Sequence, residues 1–137
     1  MTINETQDEI IDVFEMLDDW MDRYQLIIDM AAELNPFPEA DRTEQNRIDG
    51  CQSQVWFTAR LEDGKIVYAG DSDAILVRGI VALLIRVLSG HTPAEIASAD
   101  LYFIDRIGLR EHLSPTRSNG VAAMLRQMLL YAKALNC

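Results

Sequence analysis

Cysteine is scarce in this chain, with two residues among 137, at positions 51 and 137. So few thiols do not build the disulfide framework of a small secreted protein, nor ligate an iron–sulfur cluster unaided. There is no C-x-x-C or H-x-x-x-H pairing and no glycine-rich phosphate loop, so neither a metal site nor a bound cofactor is expected. Positive charge is also short: 12 Lys and Arg stand against 22 Asp and Glu, for a formal net charge of -10. That balance argues against nucleic acid or an anionic membrane surface as partner, because both are recognised through basic patches. A partner with a basic face suits it better. Apolar runs long enough to span a membrane are missing, as is a basic-then-apolar leader. The expectation is a soluble, cytoplasmic protein with reduced thiols.

What the sequence does contain is a hydrophobic fraction of 49% in a length typical of one domain, so a single domain over residues 1–137 is expected. The N-terminal third reads as helix, with Ile10, Val13, Phe14, Leu17, Met21, Tyr24 and Ile28 at spacings of three and four. Asp18 and Asp19 are a candidate break, and Asn35, Pro36 and Pro38 end the region. A loop then runs to about Ile48. From Gln52 the period changes to two, and Asp63-Gly64 followed by "KIVYA" predicts a β-hairpin with a type I′ turn. The stretch from Gly70 to Gly90 predicts a buried helix, with Ser72 and Asp73 as candidate N-caps and Gly90 as C-cap. Thr92-Pro93 opens a short helix, and a last helix starts near Ser114-Pro115 or Ser118. Helices before and after one hairpin make an α+β domain.

Cys51 is the residue that invites chemistry. It sits where a loop enters a strand, after Gly50 and before Gln52 and Ser53, which are unusual neighbours for a core thiol. Thiol reactivity needs a positive field, and "HLSPTRSNG" at 112–120 offers one, since it joins a helix start to Arg117. Plain capping with a solvated arginine explains the same residues equally well. Asp71 and Asp73 read first as a helix cap and second as groups that tie down the cysteine loop. His112 or His91 as a base would make Cys51 a thiol hydrolase, although neither lies in a cysteine-hydrolase signature and His91 follows a helix-ending glycine. Met124 and Met128 have core spacing. The first 22 residues hold eight acidic side chains and no Lys or Arg, a solvated face or a steering surface for a basic partner.

Three blocks together carry a resemblance: Arg42, Asn46, Ile48, Gly50, Cys51, Gln52, Ser53, Val55 and Trp56; then "GDSDA" from Gly70; then "HLSPTRSNG" from His112. In these the chain resembles the SufE family of sulfur-acceptor proteins, which includes the CsdE branch, over nearly its whole length. The resemblance implies an α+β fold like that of NifU-type scaffolds, a small curved antiparallel sheet of about three strands packed with helices. It implies a carrier for iron–sulfur cluster assembly in a SUF-type or CSD-type system, not a stand-alone enzyme. By motif, Cys51 is the persulfide acceptor, Arg117 the arginine near the acceptor loop, and Asp73 a residue that positions this loop. The partners implied are a cysteine desulfurase (SufS- or CsdA-like), which holds the pyridoxal phosphate and is stimulated by the carrier, and an iron–sulfur scaffold (SufB-like) or other acceptor. A homodimer is compatible with the family. An iron–sulfur scaffold function, suggested by the shared fold, is the remaining rival. Cys137 falls outside the motifs and is expected to be dispensable for sulfur transfer.

Overall fold

The architecture is organised around one apolar helix. In the computed structural model, which describes residues 1–136, the chain forms α1 (Ile3–Glu15), α2 (Trp20–Met30), β1 (Val55–Glu62), β2 (Lys65–Ser72), α3 (Ile75–Leu88), α4 (Pro93–Ser98), α5 (Phe103–Arg106), α6 (Leu109–His112) and α7 (Pro115–Leu135). Cys137 lies outside the described residues. Short 3-10 turns at Ala31–Glu33 and Glu39–Asp41 punctuate the connection between α2 and β1. Val77, Ile80, Val81, Leu83, Leu84, Val87 and Leu88 of α3 are all buried, as expected of a helix that is apolar on most sides. It packs against α1, α2 and β2, while α7 covers β1 and α4. The mixed helix-and-hairpin fold expected from the sequence is the one observed.

Local signals explain most element boundaries. Asp19 caps α2 by accepting from the Met21 N–H at 3.0 Å, so the Asp18-Asp19 pair does divide the first helical region. Thr92 and Glu95 form a reciprocal capping box with Pro93 at the first helical position. Ser114 caps α7 through the Arg117 N–H, which settles its start ahead of Pro115. In the hairpin, Asp63 (φ 52°) and Gly64 (φ 77°) both take positive φ, the requirement of the predicted turn.

Three expectations need correction. β1 begins at Val55, not Gln52. The third strand is reduced to one bridge, Arg47 opposite Trp56, held by Ile48 N–H to Val55 O (2.8 Å) and Phe57 N–H to Asn46 O (3.0 Å). On the other edge Gly90 and His91 pair with Ile66, so both edges of the two-stranded sheet are partly covered. Finally, Ala74 is the N-cap of α3 and no side chain caps it. Ser72 and Asp73 are used elsewhere, as the site shows.

The tightest helix contact is at Gly79. A Cβ there would lie 1.9 Å from the Ile27 carbonyl oxygen of α2, a backbone atom with no freedom to yield. Gly79→Ala is therefore expected to destabilise the fold by about 1–3 kcal/mol, despite the ~1 kcal/mol alanine gains inside a helix. Urea unfolding monitored by circular dichroism checks this, and an unchanged or raised midpoint would contradict the contact.

Candidate functional site

The cysteine lies on a short loop whose two ends are tied. Because Ile48 bonds Val55, residues 49–54 form an excursion closed at its base by the Arg47–Trp56 bridge. The outgoing end is latched to the start of the next segment. Asp73 Oδ1 accepts from the Gln54 N–H (3.0 Å), the Asp73 N–H donates to Gln54 O (3.2 Å), and Ser72 Oγ donates to the same carbonyl (2.7 Å). Thus the second of the two readings for Asp73 is the observed one. Asp71 neither caps α3 nor bonds residues 49–54 directly. It accepts from Arg42 (2.6 Å), Arg78 (2.9 Å) and the Ser72 N–H (2.8 Å), anchoring the incoming loop to β2 and α3. Partial burial pushes its carboxyl up, but these hydrogen bonds and the two guanidinium charges outweigh it, and its pKa is lowered. Arg42 also lies over the Trp56 ring, 5.0 Å from its centroid.

At the loop tip, Gly50 takes φ +91°, a conformation that side chains rarely adopt, and this turns Cys51 inward. The half-buried thiol packs into a small pocket between α3 and α7. Its floor is Val55, Val77, Ile80, Val121 and Met124, all buried, and its rim is Gln52, Ser53, Thr116 and Arg117. The sulfur sits 3.6 Å from the Gly120 carbonyl oxygen, as S–H donor. A side chain at 120 would place its Cβ 3.5 Å from that sulfur.

The structure therefore brings Cys51, Arg117 and the Asp73 latch together, while altering the electrostatic expectation. Cys51 does not face the N-terminal N–H groups of α7 but a carbonyl one turn further in. Burial pushes its thiol pKa up, so the resting group is a neutral thiol. Arg117 is exposed at the rim, and its guanidinium has no acidic partner among the described residues. It also lines a more open cleft of about 480 Å³ shared with Tyr24, Ile28, Gln52, Leu76 and His112.

His112 does not line the Cys51 pocket. Its ring stacks on Trp20 at 3.8 Å between centroids, and Nδ1 is 3.0 Å from the Gly108 carbonyl. The Cys51–His112 pairing that a thiol hydrolase needs is not formed. His91 sits beside Glu95 at 3.8 Å, in the first turn of α4. Among the described residues no group of His, Cys, Asp and Glu has the spacing to hold a metal ion, and no helix is long and apolar enough to cross a membrane. A larger cavity of about 310 Å³, between β2, α3 and residues 33–35, is lined by none of Cys51, Asp73, His91, His112 and Arg117.

Sequence reasoning missed Gly120 and the pocket floor. The signal for Gly120 was present, because a glycine inside a long helix costs ~1 kcal/mol relative to alanine and marks a close approach. The floor residues carry no such mark. Cys51 alkylation by iodoacetamide, followed peptide by peptide, is expected to titrate above the ordinary thiol range. Asp73→Ala should speed it at neutral pH by about two- to tenfold, the equivalent of one hydrogen bond worth ~0.5–1.5 kcal/mol. An ordinary profile and no acceleration would contradict the burial and the latch.

The profile of the SufE family, described as an Fe-S metabolism associated domain, matches residues 8–132. An uncharacterised SufE-like protein of Rhizobium meliloti is 43% identical over 126 residues, 88% of this chain and 90% of the relative. One from Rhizobium etli is 42% identical over 92% of this chain and 88% of its own, and one from Synechocystis is 42% identical over 88% and 76%. The solution structure of a hypothetical protein from Thermus thermophilus shares the fold, with a TM-score of 0.78 over 95% of both chains at 24% identity. With the profile spanning nearly all of α1 to α7, the chain belongs to the SufE family, whose domain is associated with iron–sulfur metabolism.

Proposed function

We propose that this chain is a persulfide carrier for iron–sulfur cluster assembly, with Cys51 as the acceptor. The observation that carries the reading is the placement of Cys51: a half-buried thiol on a six-residue loop tied at both ends, over an apolar pocket whose rim holds an arginine with no acidic partner among the described residues. A carrier has two needs in tension, to present sulfur to a partner and to keep it from small reductants between transfers. A loop that buries its tip and can swing answers both.

The chemistry follows the displacement logic of thiol–disulfide exchange. Cys51 leaves the Gly120 carbonyl, loses its proton, and as a thiolate attacks the outer sulfur of a persulfide on the donor protein. A bond forms between Cys51 Sγ and that sulfur, the donor S–S bond breaks, and the donor cysteine departs as thiolate. The transferred sulfur keeps its proton and its oxidation state, so no external oxidant or reductant is required. Arg117 stands at the pocket rim, where a cation stabilises the thiolate once the loop has swung. The donor is a cysteine desulfurase (SufS- or CsdA-like) holding its own pyridoxal phosphate, which gains turnover when its persulfide is removed. The recipient is an iron–sulfur scaffold (SufB-like) or another acceptor, and this chain has no stand-alone catalytic role.

Intact mass spectrometry after incubation with a cognate cysteine desulfurase and cysteine tests the reading. The expected result is a thiol-reducible gain of sulfur in the wild-type chain and in Cys137→Ser, absent in Cys51→Ser. Cys51 should also alkylate faster when the desulfurase is present than when it is absent. No gain with an active, matching desulfurase would overturn the proposal, and equal alkylation rates would remove the swing.

A further inference from the structure

We infer that the cavity on the outer edge of β2 is a binding site for a free α-amino acid with an apolar side chain, held by the backbone of Gly70. This cavity shares no lining residue with the Cys51 pocket, so the site is independent of the carrier chemistry and either can fail without the other.

The register of the hairpin decides which backbone groups of β2 face outward. Ile66, Tyr68, Gly70 and Ser72 alternate with the residues that bond β1, so their N–H and C=O groups point to the free edge. Most of that edge is occupied. Ile66 donates to His91 O (2.8 Å) and accepts from the Gly90 N–H (2.7 Å). The Tyr68 N–H donates to Ser89 Oγ (3.0 Å) and the Ser72 N–H to Asp71 Oδ1 (2.8 Å). At Gly70 neither the N–H nor the C=O has a partner among the described residues, although the residue is buried. Buried backbone groups are almost always paired, so a donor and an acceptor left open on one residue mark a place for a ligand.

The opening calls for a particular chemistry. A residue opposite Gly70 in an antiparallel ladder donates its N–H to Gly70 O and offers its C=O to the Gly70 N–H. A free α-amino acid makes both bonds in charge-assisted form, through its ammonium and its carboxylate. The cavity carries the matching charges. Arg86 and Glu33 both line it, as a loose pair 3.7 Å apart, and Arg86 is steadied by Glu9 at 2.7 Å. Arg86 suits the carboxylate and Glu33 the ammonium. A longer peptide does not fit, because the N–H groups on either side of Gly70 are taken and the chain's own segment 89–91 occupies the edge beyond.

The same register selects the side chain. Cross-strand partners project to one face of a sheet. Gly70 faces α3, since a Cβ there would lie 3.0 Å from both Phe57 Cδ1 and Val81 Cγ1. The side chain of an L-amino acid paired to Gly70 is therefore directed toward α3, where Ala82 and Ile85 line the cavity and Leu34 closes it. A charged side chain loses its hydration there without a partner. A D-amino acid that keeps both backbone bonds turns its side chain to the opposite face.

The test follows the Gly70 amide by NMR in the full ¹⁵N-labelled chain, titrated with L-leucine, D-leucine or N-acetyl-L-leucine amide. L-leucine is expected to give a saturable shift at Gly70. D-leucine and the blocked amide should each bind about tenfold more weakly or worse, and Glu33→Gln or Arg86→Gln should weaken L-leucine by about tenfold. Ala82→Leu, which fills the cavity, should abolish the shift. Folding is checked by circular dichroism, and Glu33→Gln, at an exposed position, decides the matter should Ala82→Leu unfold. No saturable shift with L-leucine, equal binding of the D-enantiomer, or undiminished affinity in Glu33→Gln would overturn the inference. Binding of the blocked amide as tightly as L-leucine would overturn it in favour of a peptide-pairing edge.

Discussion

The contact on which both fold and site depend is the approach of α2 to α3 at Gly79. Because residue 79 lacks a side chain, the backbone of α2 at Ile27 seats directly on α3. Every other residue from Val77 to Leu84 except Arg78 is then buried. Val77 and Ile80, three apart and on one ridge of α3, face away from this contact into the Cys51 pocket. A helix apolar on most sides needs cover on most sides. Here α1 and α2 cover one, β2 another, and α7 with the cysteine loop completes the enclosure. The site is therefore the last patch of cover on α3, made from a loop instead of a regular element.

That origin explains why the loop is lightly seated at its tip and firmly tied at its ends. Seating the thiol buries little more than one methylene's worth of surface, about 0.8 kcal/mol, and adds one weak S–H hydrogen bond to Gly120. The ends are far more firmly held. Gln54 is bonded through both its N–H and its carbonyl, and Ile48 is paired to Val55. Between them, Asp71 joins two arginines to β2 in a part-buried cluster, where removal of one partner leaves charge uncompensated. On the carrier reading the swing is thus confined to residues 49–53, and its cost is small beside the binding energy of a typical protein partner.

How much of this was legible in the sequence depends on the range of the interactions involved. The Asp63-Gly64 turn, the Asp19 break, the Thr92-Pro93 and Ser114-Pro115 starts and the glycine after α3 are decided by residues within a turn of one another, and all were readable. The cap reading of Ser72 and Asp73 fails because both side chains bond Gln54, 18 and 19 residues away in sequence, while the alternative reading of Asp73, a tie on the cysteine loop, is the arrangement found. Alternation runs on through Gln52, so it placed the start of β1 too early; only the loop closure at Ile48 and Val55 sets it. The segment 46–48 pairs over a single bridge and carries no strand-length pattern. α5 and α6, with four residues each, are too short to show periodicity. Cys51 and Arg117, which share one pocket, stand out by type and motif, whereas the pocket floor needs α3 and α7 to be packed before Val77 or Met124 is distinguished from any other core residue.

The electrostatics of the site differ from those of a cysteine prepared as a nucleophile at rest. A thiol enzyme prepares its nucleophile at rest, with an imidazole in hydrogen-bond reach or with helix N–H groups facing the sulfur. Here the resting sulfur faces a carbonyl oxygen and aliphatic side chains, and burial raises its pKa. The one histidine in the neighbouring cleft is committed to Trp20 and the Gly108 carbonyl. A carbonyl favours the protonated thiol and opposes the thiolate, so the contact that holds Cys51 in place also keeps it unreactive. Reactivity and departure from the pocket are then the same event. On the carrier reading this coupling restrains the empty carrier, whose thiol becomes a ready nucleophile when a partner draws the loop out.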